Sequence, residues 1–361
     1  MTESTLQHQL AAYKNQLDAG IKRYCDAWLA SVQTGYTTYS HDAVEAYCAI
    51  LSRGGKRMRG ALVLSTYQML GGENQQLALA MARIIEMAHA YLLIIDDVCD
   101  RSATRRGGPA AHRQLAEYHR HNQLHGDGEH FGESVAISAA LAGLHTALAD
   151  VGTLSTDDTT KLELLNNLNQ NLIITTHGQL NDIFNEATRA VDEAEVLQML
   201  SWKTSYYSFA SPLQCGAILA KADVAEQASL HDYAMHIGLA FQIADDILGT
   251  FGDELKSGKS TQDDIKEGKM TLLTSRALAR ANPVQKQTLL AAVGNAELTE
   301  QEWEVARGII QDTGALDYAQ KQAQNHARLA AEALDVAPKH WSRDGRDFLR
   351  GLATYVAQRN E

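Results

Sequence analysis

The chain has 361 residues, a formal net charge of −12, 45% hydrophobic residues and only four prolines. An acidic chain of this kind is a poor partner for nucleic acid, whose backbone is bound by clustered lysine and arginine. The N-terminal residues lack a secretion signal, and we find no run of about 18 uncharged apolar residues that would predict a transmembrane segment. Four widely spaced cysteines without a C-x-x-C pair favour free thiols. We therefore expect a cytoplasmic protein.

Apolar residues recur at i, i+3, i+4 and i+7 through most of the chain, which predicts an all-α fold. No strand–helix alternation, fixed-period repeat or glycine-rich dinucleotide fingerprint is visible. Residues 119–132, rich in histidine and glycine, look like an irregular loop insertion. Their histidines could bind a soft metal, although the uneven spacing argues against it. We predict a single helical domain over residues 1–361, although the length would also permit two domains.

The first group of functional candidates is basic. Residues 54–60 (GGKRMRG) place Lys56, Arg57 and Arg59 at a glycine-hinged helix start. The N–H groups and the dipole of a helix start favour anions. A solvated basic turn is the alternative interpretation, but this pattern suits phosphate.

An acidic cluster follows the apolar run 84–95, which predicts a buried helix. Asp96 and Asp100 are four residues apart and lie on one helix face, with Asp97 beside them. Buried like charges cost several kcal/mol unless a cation neutralises them, and Mg²⁺ is commonly held by a few carboxylates together with phosphate and water. Residues 105–107 (RRG) follow on a loop with donors suited to phosphate oxygens.

A second acidic cluster, residues 245–249 (DDILG), also closes a helix-like apolar run. A solvated acidic helix end would explain one such cluster as well as a metal site does. Two clusters in the same setting favour metal binding.

Taken together, these motifs resemble those of the trans-isoprenyl diphosphate synthases, the polyprenyl synthetase family. Family members carry G-G-K-x-x-R, D-D-x-x-D followed by R-R-G, K-T, F-Q-x-x-D-D, and then a further Lys, Asp and Lys. This chain has all of them in that order, within residues 54–271. They stand at residues 54–59, 96–107, 203–204 and 241–246, and at Lys259, Asp264 and Lys269.

The resemblance implies an all-α bundle around a deep central cavity, the isoprenoid synthase type I fold, usually as a homodimer. It implies that the two aspartate motifs face each other across the cavity mouth and bind about three Mg²⁺ ions, which bridge to the diphosphate of an allylic substrate. The implied metal ligands are Asp96, Asp97, Asp100, Asp245, Asp246 and Asp264.

The resemblance also implies which residues bind the substrates. Arg105, Lys203 and Lys259 would contact the allylic diphosphate, while Lys269 and Gln242 complete the substrate-binding set. The family's site for isopentenyl diphosphate maps onto Lys56, Arg59, His89 and Arg106. His89 lies two helical turns before Asp96 and so shares its face, although a lone histidine on an apolar helix is more often a core residue.

By this resemblance the reaction is a prenyl transfer. The allylic C–O bond ionises, isopentenyl diphosphate attacks the carbocation, and a proton leaves to the departing diphosphate, so no protein base is required. Asp97, Asp246, Lys203 and Thr204 are the expected catalytic residues. Gln179 and Asp182 look like their supporting residues.

Two further features of the sequence bear on activity and product. Gly249 stands where many members have a third aspartate, so Asp264, or its neighbour Asp263, is expected to complete the second metal site. Tyr91 and Leu92, five and four residues before Asp96, are expected to set the depth available to the growing chain. An aromatic residue at that depth resembles the pattern of geranylgeranyl diphosphate synthases, with an ordinary core tyrosine as the alternative.

Three other functions stay open. A farnesyl diphosphate synthase has the same motifs. A class I terpene cyclase also uses D-D-x-x-D and Mg²⁺, but it would leave Lys56, Arg59 and Arg106 without a purpose. A non-catalytic prenyltransferase subunit would show erosion of one aspartate motif, for which Gly249 is the one hint.

Overall fold

The structure is a computed structural model that describes residues 3–189, 192–253, 260–335, 338 and 340–358. These residues are almost entirely helical, which confirms the predicted all-α class. The first seven α-helices are α1 (Glu3–Gly35), α2 (Thr38–Ser52), α3 (Met58–Met69), α4 (Gln75–Cys99), α5 (Ala111–His121), α6 (Gly128–Gly152) and α7 (Asp158–Thr188). A two-stranded hairpin, β1 (Thr104–Arg105) and β2 (Gly108–Pro109), lies between α4 and α5.

The second half of the chain begins with α8 (Glu193–Leu200), which continues into a π-helical segment (Ser201–Ala210) and α9 (Ser211–Leu219). The long helix α10 (Val224–Phe251) follows. The remaining helices are α11 (Asp263–Glu267), α12 (Leu272–Arg280), α13 (Pro283–Ala292), α14 (Glu300–Asp312), α15 (Ala315–Ala333) and α16 (Arg343–Ala357).

The chain divides into two compact units. The first unit comprises Ser4–Asn166 and Cys215–Lys221, and the second comprises mainly Asn167–Gln214 and Ala222–Glu361. The prediction of a single domain stays a prediction.

In the first unit, α4 packs against α2, α3, α5 and α6. Its apolar residues are buried along most of its length, as the run 84–95 predicted. The Asn74 side chain caps the start of α4 by accepting a hydrogen bond from the backbone N–H of Leu77. The helix therefore carries Asp96 and Asp97 at its last turn, with Asp100 as its C-terminal cap.

In the second unit, α10 packs against α15, α16 and the π-helical segment. Asp223 and Glu226 form a capping box at the start of α10. Trp303, Ile243, Met270 and Leu272 belong to the buried apolar cluster of this unit. This cluster supports the end of α10, where the second acidic motif lies.

The irregular segment expected over residues 119–132 is much shorter than predicted. The described backbone leaves the helical conformation only over residues 122–127, because α5 continues to His121 and Asp127 caps α6 at Gly128. His119 is buried, its ring packs 5.1 Å from that of Phe131, and its Nε2 lies 3.1 Å from the His125 carbonyl oxygen. These contacts give His119 a structural role.

By length and composition alone, α4 and α6 could each cross a membrane, with mean hydropathies of 1.6 and 1.5 over the relevant windows. The sequence pattern had not suggested such a segment. The α4 window is 61% buried, as in the core helix of a soluble protein, and the α6 window 33%. Two such helices are weak evidence for a membrane protein.

Candidate active site

Arg57, in the loop before α3, is buried and anchors that loop. Its Nε donates to Asp18 Oδ1 at 2.7 Å, its Nη1 to Glu86 Oε2 at 3.2 Å and its Nη2 to the Leu51 carbonyl oxygen at 2.7 Å. The other Glu86 oxygen accepts the Gly60 backbone N–H at 2.9 Å. Arg57 adopts a left-handed backbone, with φ of 50°. Arg57 therefore anchors the segment that carries its neighbours Lys56 and Arg59.

One of these neighbours, Arg59, lies near a buried histidine. Lys56 is exposed, Arg59 is half-buried in the first turn of α3, and His89 is buried on α4. Burial holds the pKa of His89 well below its usual range, and the charges of Arg59 and Arg106 add to that effect. The arginine charges around this neutral imidazole favour an anion such as a diphosphate. We name Lys56, Arg59, His89 and Arg106 the cationic cluster.

Arg106 reaches this cluster from the hairpin between α4 and α5. Arg106 and Gly107 have φ of 53° and 73°, as both residues of a two-residue hairpin turn require. The Arg106 Nη1 donates to the Arg53 carbonyl oxygen at 3.1 Å and more weakly to that of Ile50 at 3.4 Å. Burial lowers the pKa of Arg106 to about 10, so it stays charged at neutral pH.

Gly55 makes room for that guanidinium. Its φ is 124°, a conformation that side chains of L-residues rarely adopt, and a Cβ placed there would lie 3.2 Å from Arg106 Cζ. The positive φ and the close approach of Arg106 therefore explain the second glycine of the G-G-K-x-x-R motif, whereas a Cβ at Gly54 would meet no atom within 4 Å.

Asp97 is the most deeply buried residue of the first acidic cluster. Its Oδ1 accepts from Arg105 through Nε at 2.7 Å and through Nη2, and its Oδ2 has no hydrogen-bond partner among the described residues. Burial raises the pKa of Asp97, although Arg105 opposes the shift. The charges of Asp96 and Asp100 raise it further. A buried, unsatisfied carboxylate oxygen beside two more carboxylates fits a hard divalent cation.

The second acidic cluster repeats this arrangement in the second unit. Asp246 is buried, its Oδ1 accepts from Gln242 Nε2 at 2.8 Å, and its Oδ2 lacks a hydrogen-bond partner in the part of the chain that the structure describes. Burial, and then the charges of Asp264 and Asp245, hold the pKa of Asp246 well above its usual range. This donor set also fits a divalent cation.

Gln242 connects Asp246 to the K-T motif. The Thr204 hydroxyl donates to Gln242 Oε1 at 2.7 Å, so one hydrogen-bond chain runs from Thr204 through Gln242 to Asp246. Thr204 is itself buried in the π-helical segment. The chain fixes the amide orientation of Gln242 and thereby one oxygen of Asp246.

Asp264 occupies the space beside Gly249. A Cβ on residue 249 would lie 2.7 Å from Asp264 Oδ2, closer than real contacts allow. The structure therefore brings the Asp264 carboxylate to the position where many family members have a third aspartate on the preceding helix. Asp264, rather than Asp263, is the residue whose charge acts on Asp246.

Lys203 and Lys269 share the acidic face of α7. Lys203 Nζ donates to Asp182 Oδ2 at 2.6 Å, and Lys269 Nζ lies 3.6 Å from the same oxygen and 3.1 Å from Glu186 Oε1. The π-helical segment approaches α7 so closely that a Cβ on Gly178 would lie 2.3 Å from the Lys203 backbone nitrogen. Short π-helical stretches are frequent at functional sites. Lys259, also predicted to bind substrate, lies outside the described residues.

Tyr91 and Leu92 are half-buried on α4. Their role in setting product length stays a prediction.

Sequence reasoning missed the residues that support the motifs. Glu86 was visible as the one acid inside the apolar run 84–95, and a buried acid of this kind needs a cationic partner. Asp18, Gly178 and Glu186 carry no comparable signal, because their importance depends on contacts with distant parts of the chain.

The sequence pattern of the polyprenyl synthetase family matches residues 41–310. The chain belongs to the polyprenyl synthetase family. It is 32% identical to the geranylgeranyl diphosphate synthase of Saccharolobus solfataricus, over 88% of this chain and 90% of that protein. It is also 32% identical to the geranylfarnesyl diphosphate synthase of Aeropyrum pernix, over 86% and 92% of the two chains.

A solved structure supports the same family assignment. The geranylgeranyl pyrophosphate synthase of Corynebacterium glutamicum, determined with isoprenyl diphosphate and magnesium, superposes with a TM-score of 0.90 and 29% identity, covering 98% of this chain and 99% of that chain. These findings confirm the type I isoprenoid synthase fold and identify a prenyl-transferring enzyme, as the motifs predicted.

Proposed function

We propose that this enzyme is a short-chain prenyltransferase that condenses isopentenyl diphosphate with an allylic diphosphate to form geranylgeranyl diphosphate. The observation that carries the proposal is the pair of buried aspartates, Asp97 and Asp246. Each has one carboxylate oxygen with a fixed partner and one without a hydrogen-bond partner among the described residues. Each also stands in a D-D motif of the family.

We assign the metal ligands to Asp96, Asp97, Asp100, Asp245, Asp246 and Asp264, with about three Mg²⁺ ions per active site. Bound Mg²⁺ neutralises the charge that develops on the leaving diphosphate. The magnesium in the Corynebacterium glutamicum relative supports this choice of metal. The raised pKa values of Asp97 and Asp246 also support it, because a bound cation would stabilise the charged carboxylates that burial and neighbouring carboxylates disfavour.

We assign the isopentenyl diphosphate site to the cationic cluster. Lys56 and Arg59 offer charged donors beside Arg106, whose position is fixed by the end of α2. His89, being neutral, donates one N–H without adding charge. The site holds the nucleophile in place, which is the main contribution that binding makes to a bimolecular reaction.

We assign the allylic diphosphate to Arg105, Lys203, Lys259 and Lys269, with Thr204 and Gln242 orienting the second metal site. The C–O electron pair leaves with the diphosphate, the double bond of isopentenyl diphosphate attacks the cation, and the diphosphate accepts the proton. No protein group has to act as a base in this scheme. The side chains bind, orient and exclude water.

Geranylgeranyl diphosphate is the proposed product because the half-buried Tyr91 lies five residues, or about 7.5 Å, before Asp96 along α4. The relatives named above bear different product names at equal identity, so overall similarity does not decide chain length. A homodimer and a cytoplasmic location stay predictions.

The test is incubation with Mg²⁺, isopentenyl diphosphate and dimethylallyl, geranyl or farnesyl diphosphate, followed by chromatography of the dephosphorylated alcohols. If geranylgeraniol is the longest product, the proposal is supported. If farnesol is the longest product, the residue that stops chain growth lies closer to the diphosphate site than Tyr91. An alcohol longer than geranylgeraniol would mean that Tyr91 does not limit the chain length of the product. A cyclic hydrocarbon indicates a cyclase, and absence of turnover indicates a non-catalytic subunit.

Three variants test the metal assignment. Asp97→Ala and Asp246→Ala are each expected to abolish prenyl transfer, because each removes a buried ligand. Asp158→Ala is the matched control, since its side chain is 99% exposed at the start of α7. Prenyl transfer that survives both active-site substitutions would contradict the metal assignment.

A further inference from the structure

Two buried cysteines meet where α1 packs on α2. Cys25 and Cys48 are each 4% exposed, and the hydroxyl of Ser52, one turn after Cys48 on α2, donates to the Cys25 sulfur at 3.6 Å. The rings of Trp28 and Tyr47, which neighbour the pair on the same two helices, make an edge-to-face contact with centroids 5.6 Å apart. The thiol pair therefore lies in a packed interface within the first unit.

The two thiols have different character. The hydrogen bond from Cys48 lowers the pKa of Cys25 to about 7, with a smaller contribution from the Ser52 hydroxyl, whose oxygen lies 3.6 Å from the sulfur. The same thiol–thiol hydrogen bond, together with burial, raises the pKa of Cys48. The lower pKa of Cys25 favours it as the attacking thiol, with Cys48 as its partner.

We propose that Cys25 and Cys48 form a modification site, a dithiol that hydrogen peroxide oxidises to a disulfide cross-linking α1 to α2. The Cys25 thiolate attacks one peroxide oxygen, the O–O bond breaks, and the departing hydroxide takes up the proton that the Cys25 thiol released, which gives sulfenic acid and water. The Cys48 sulfur then attacks the sulfenic sulfur, and its proton leaves with the hydroxyl as a second water. Two thiols are oxidised, and one peroxide is reduced to two waters.

The disulfide has a structural consequence. Its two sulfurs stand about 2 Å apart, closer than two hydrogen-bonded thiols, so the bond must draw α1 and α2 together or rotate the side chains. Cys48 lies just before the end of α2, where the carbonyl oxygens of Ile50 and Arg53 accept from Arg106. Oxidation is therefore expected to loosen the cationic cluster, a step that rests on the proposed function.

The chemical test uses the full chain treated with hydrogen peroxide, blocked with an alkylating agent, digested and analysed by mass spectrometry. We expect a Cys25–Cys48 linked peptide pair that lacks two hydrogens and disappears after treatment with dithiothreitol. In Cys48→Ser the link should be absent, and Cys25 should instead be trapped by dimedone as a sulfenic acid. Cys215→Ser is the control, and it should cross-link as the wild type does.

Two results would overturn the proposal. One is recovery of both Cys25 and Cys48 as alkylated thiols at a peroxide dose that oxidises the exposed Cys99. The other is a disulfide that joins either cysteine to a different partner. Neither readout depends on turnover, so failure of the proposed function leaves the chemical test intact.

The kinetic test compares reduced and fully cross-linked enzyme. We expect the KM for isopentenyl diphosphate to rise about fivefold, which corresponds to one hydrogen bond of about 1 kcal/mol. The KM for the allylic substrate should not change, and dithiothreitol should restore the original value. An unchanged KM in fully cross-linked, active enzyme would overturn the link to the cationic cluster.

Discussion

The variant Glu86→Gln should show whether the buried ion pair of Arg57 and Glu86 positions the ligand-binding residues next to Arg57. The substitution keeps the shape of the side chain and an acceptor for the Gly60 N–H, but it removes the charge opposite Arg57. The Arg57 side chain is 1% exposed and that of Glu86 is 2% exposed, so water cannot replace the lost charge. Breaking a buried ion pair costs about 3–5 kcal/mol. Because Asp18 still pairs with Arg57, we expect a loss of about 3 kcal/mol in the free energy of unfolding.

The assays are urea unfolding and steady-state kinetics with both substrates. We expect the KM for isopentenyl diphosphate to rise about tenfold, or ~1.4 kcal/mol, because Arg57 lies between Lys56, in the loop, and Arg59, in the first turn of α3. The KM for the allylic diphosphate should stay unchanged. Asp26→Asn is the control, since the side chains of the Lys22–Asp26 pair are 77% and 63% exposed. It should change the free energy of unfolding by less than ~0.5 kcal/mol.

Two outcomes would refute this reasoning. If Glu86→Gln unfolds as the wild type does, the buried network contributes no more than the exposed Lys22–Asp26 pair. If the variant is destabilised but binds isopentenyl diphosphate normally, the network supports the fold without positioning the loop.

Three further predictions concern product length, metal binding and pH. Tyr91→Ala should yield alcohols longer than geranylgeraniol, and an unchanged product would exclude Tyr91 as the floor. Gly249→Ala should reduce the Mg²⁺-dependent rise in Tm, because its Cβ would displace Asp264; a rise equal to that of the wild type would contradict this. Burial lowers the pKa values of His236 and His326, whose Nδ1 atoms lie 3.1 Å apart. The unfolded chain therefore binds more protons, and stability should fall as pH drops below about 6.5, less steeply in His236→Gln in matched urea titrations.

The fold class and the positions of the motifs could be predicted because both are local properties of the sequence. The apolar period that identified α4 also placed Asp96 and Asp97 at its last turn. The prediction for residues 119–132 was wrong because composition alone cannot show that Asp127 caps a new helix. The π-helical conformation around Lys203 had no local signal, and neither did the close approach of its backbone to Gly178 on another helix.

The basic loop shows a second limit of sequence reasoning. The sequence alone does not distinguish Lys56, Arg57 and Arg59, because all three side chains suit phosphate. Burial distinguishes them: Arg57 is 3% exposed and its donors are taken by Asp18, Glu86 and a backbone carbonyl. An arginine with its donors so engaged holds a site together rather than binding its ligand. Only the partners, one of them on α1, reveal that difference.

Gly249 illustrates the same point for the second metal site. In the sequence, glycine in place of a third aspartate suggests a degraded second aspartate motif, and it was the one indication of a non-catalytic subunit. In the structure the absence of a Cβ allows Asp264 to bring its carboxylate to that position, and the charge of Asp264 contributes to the raised pKa of Asp246. A metal responds to the oxygens around it and not to their order along the chain. The glycine is therefore compatible with an intact second site, and the hint of a non-catalytic subunit loses its basis.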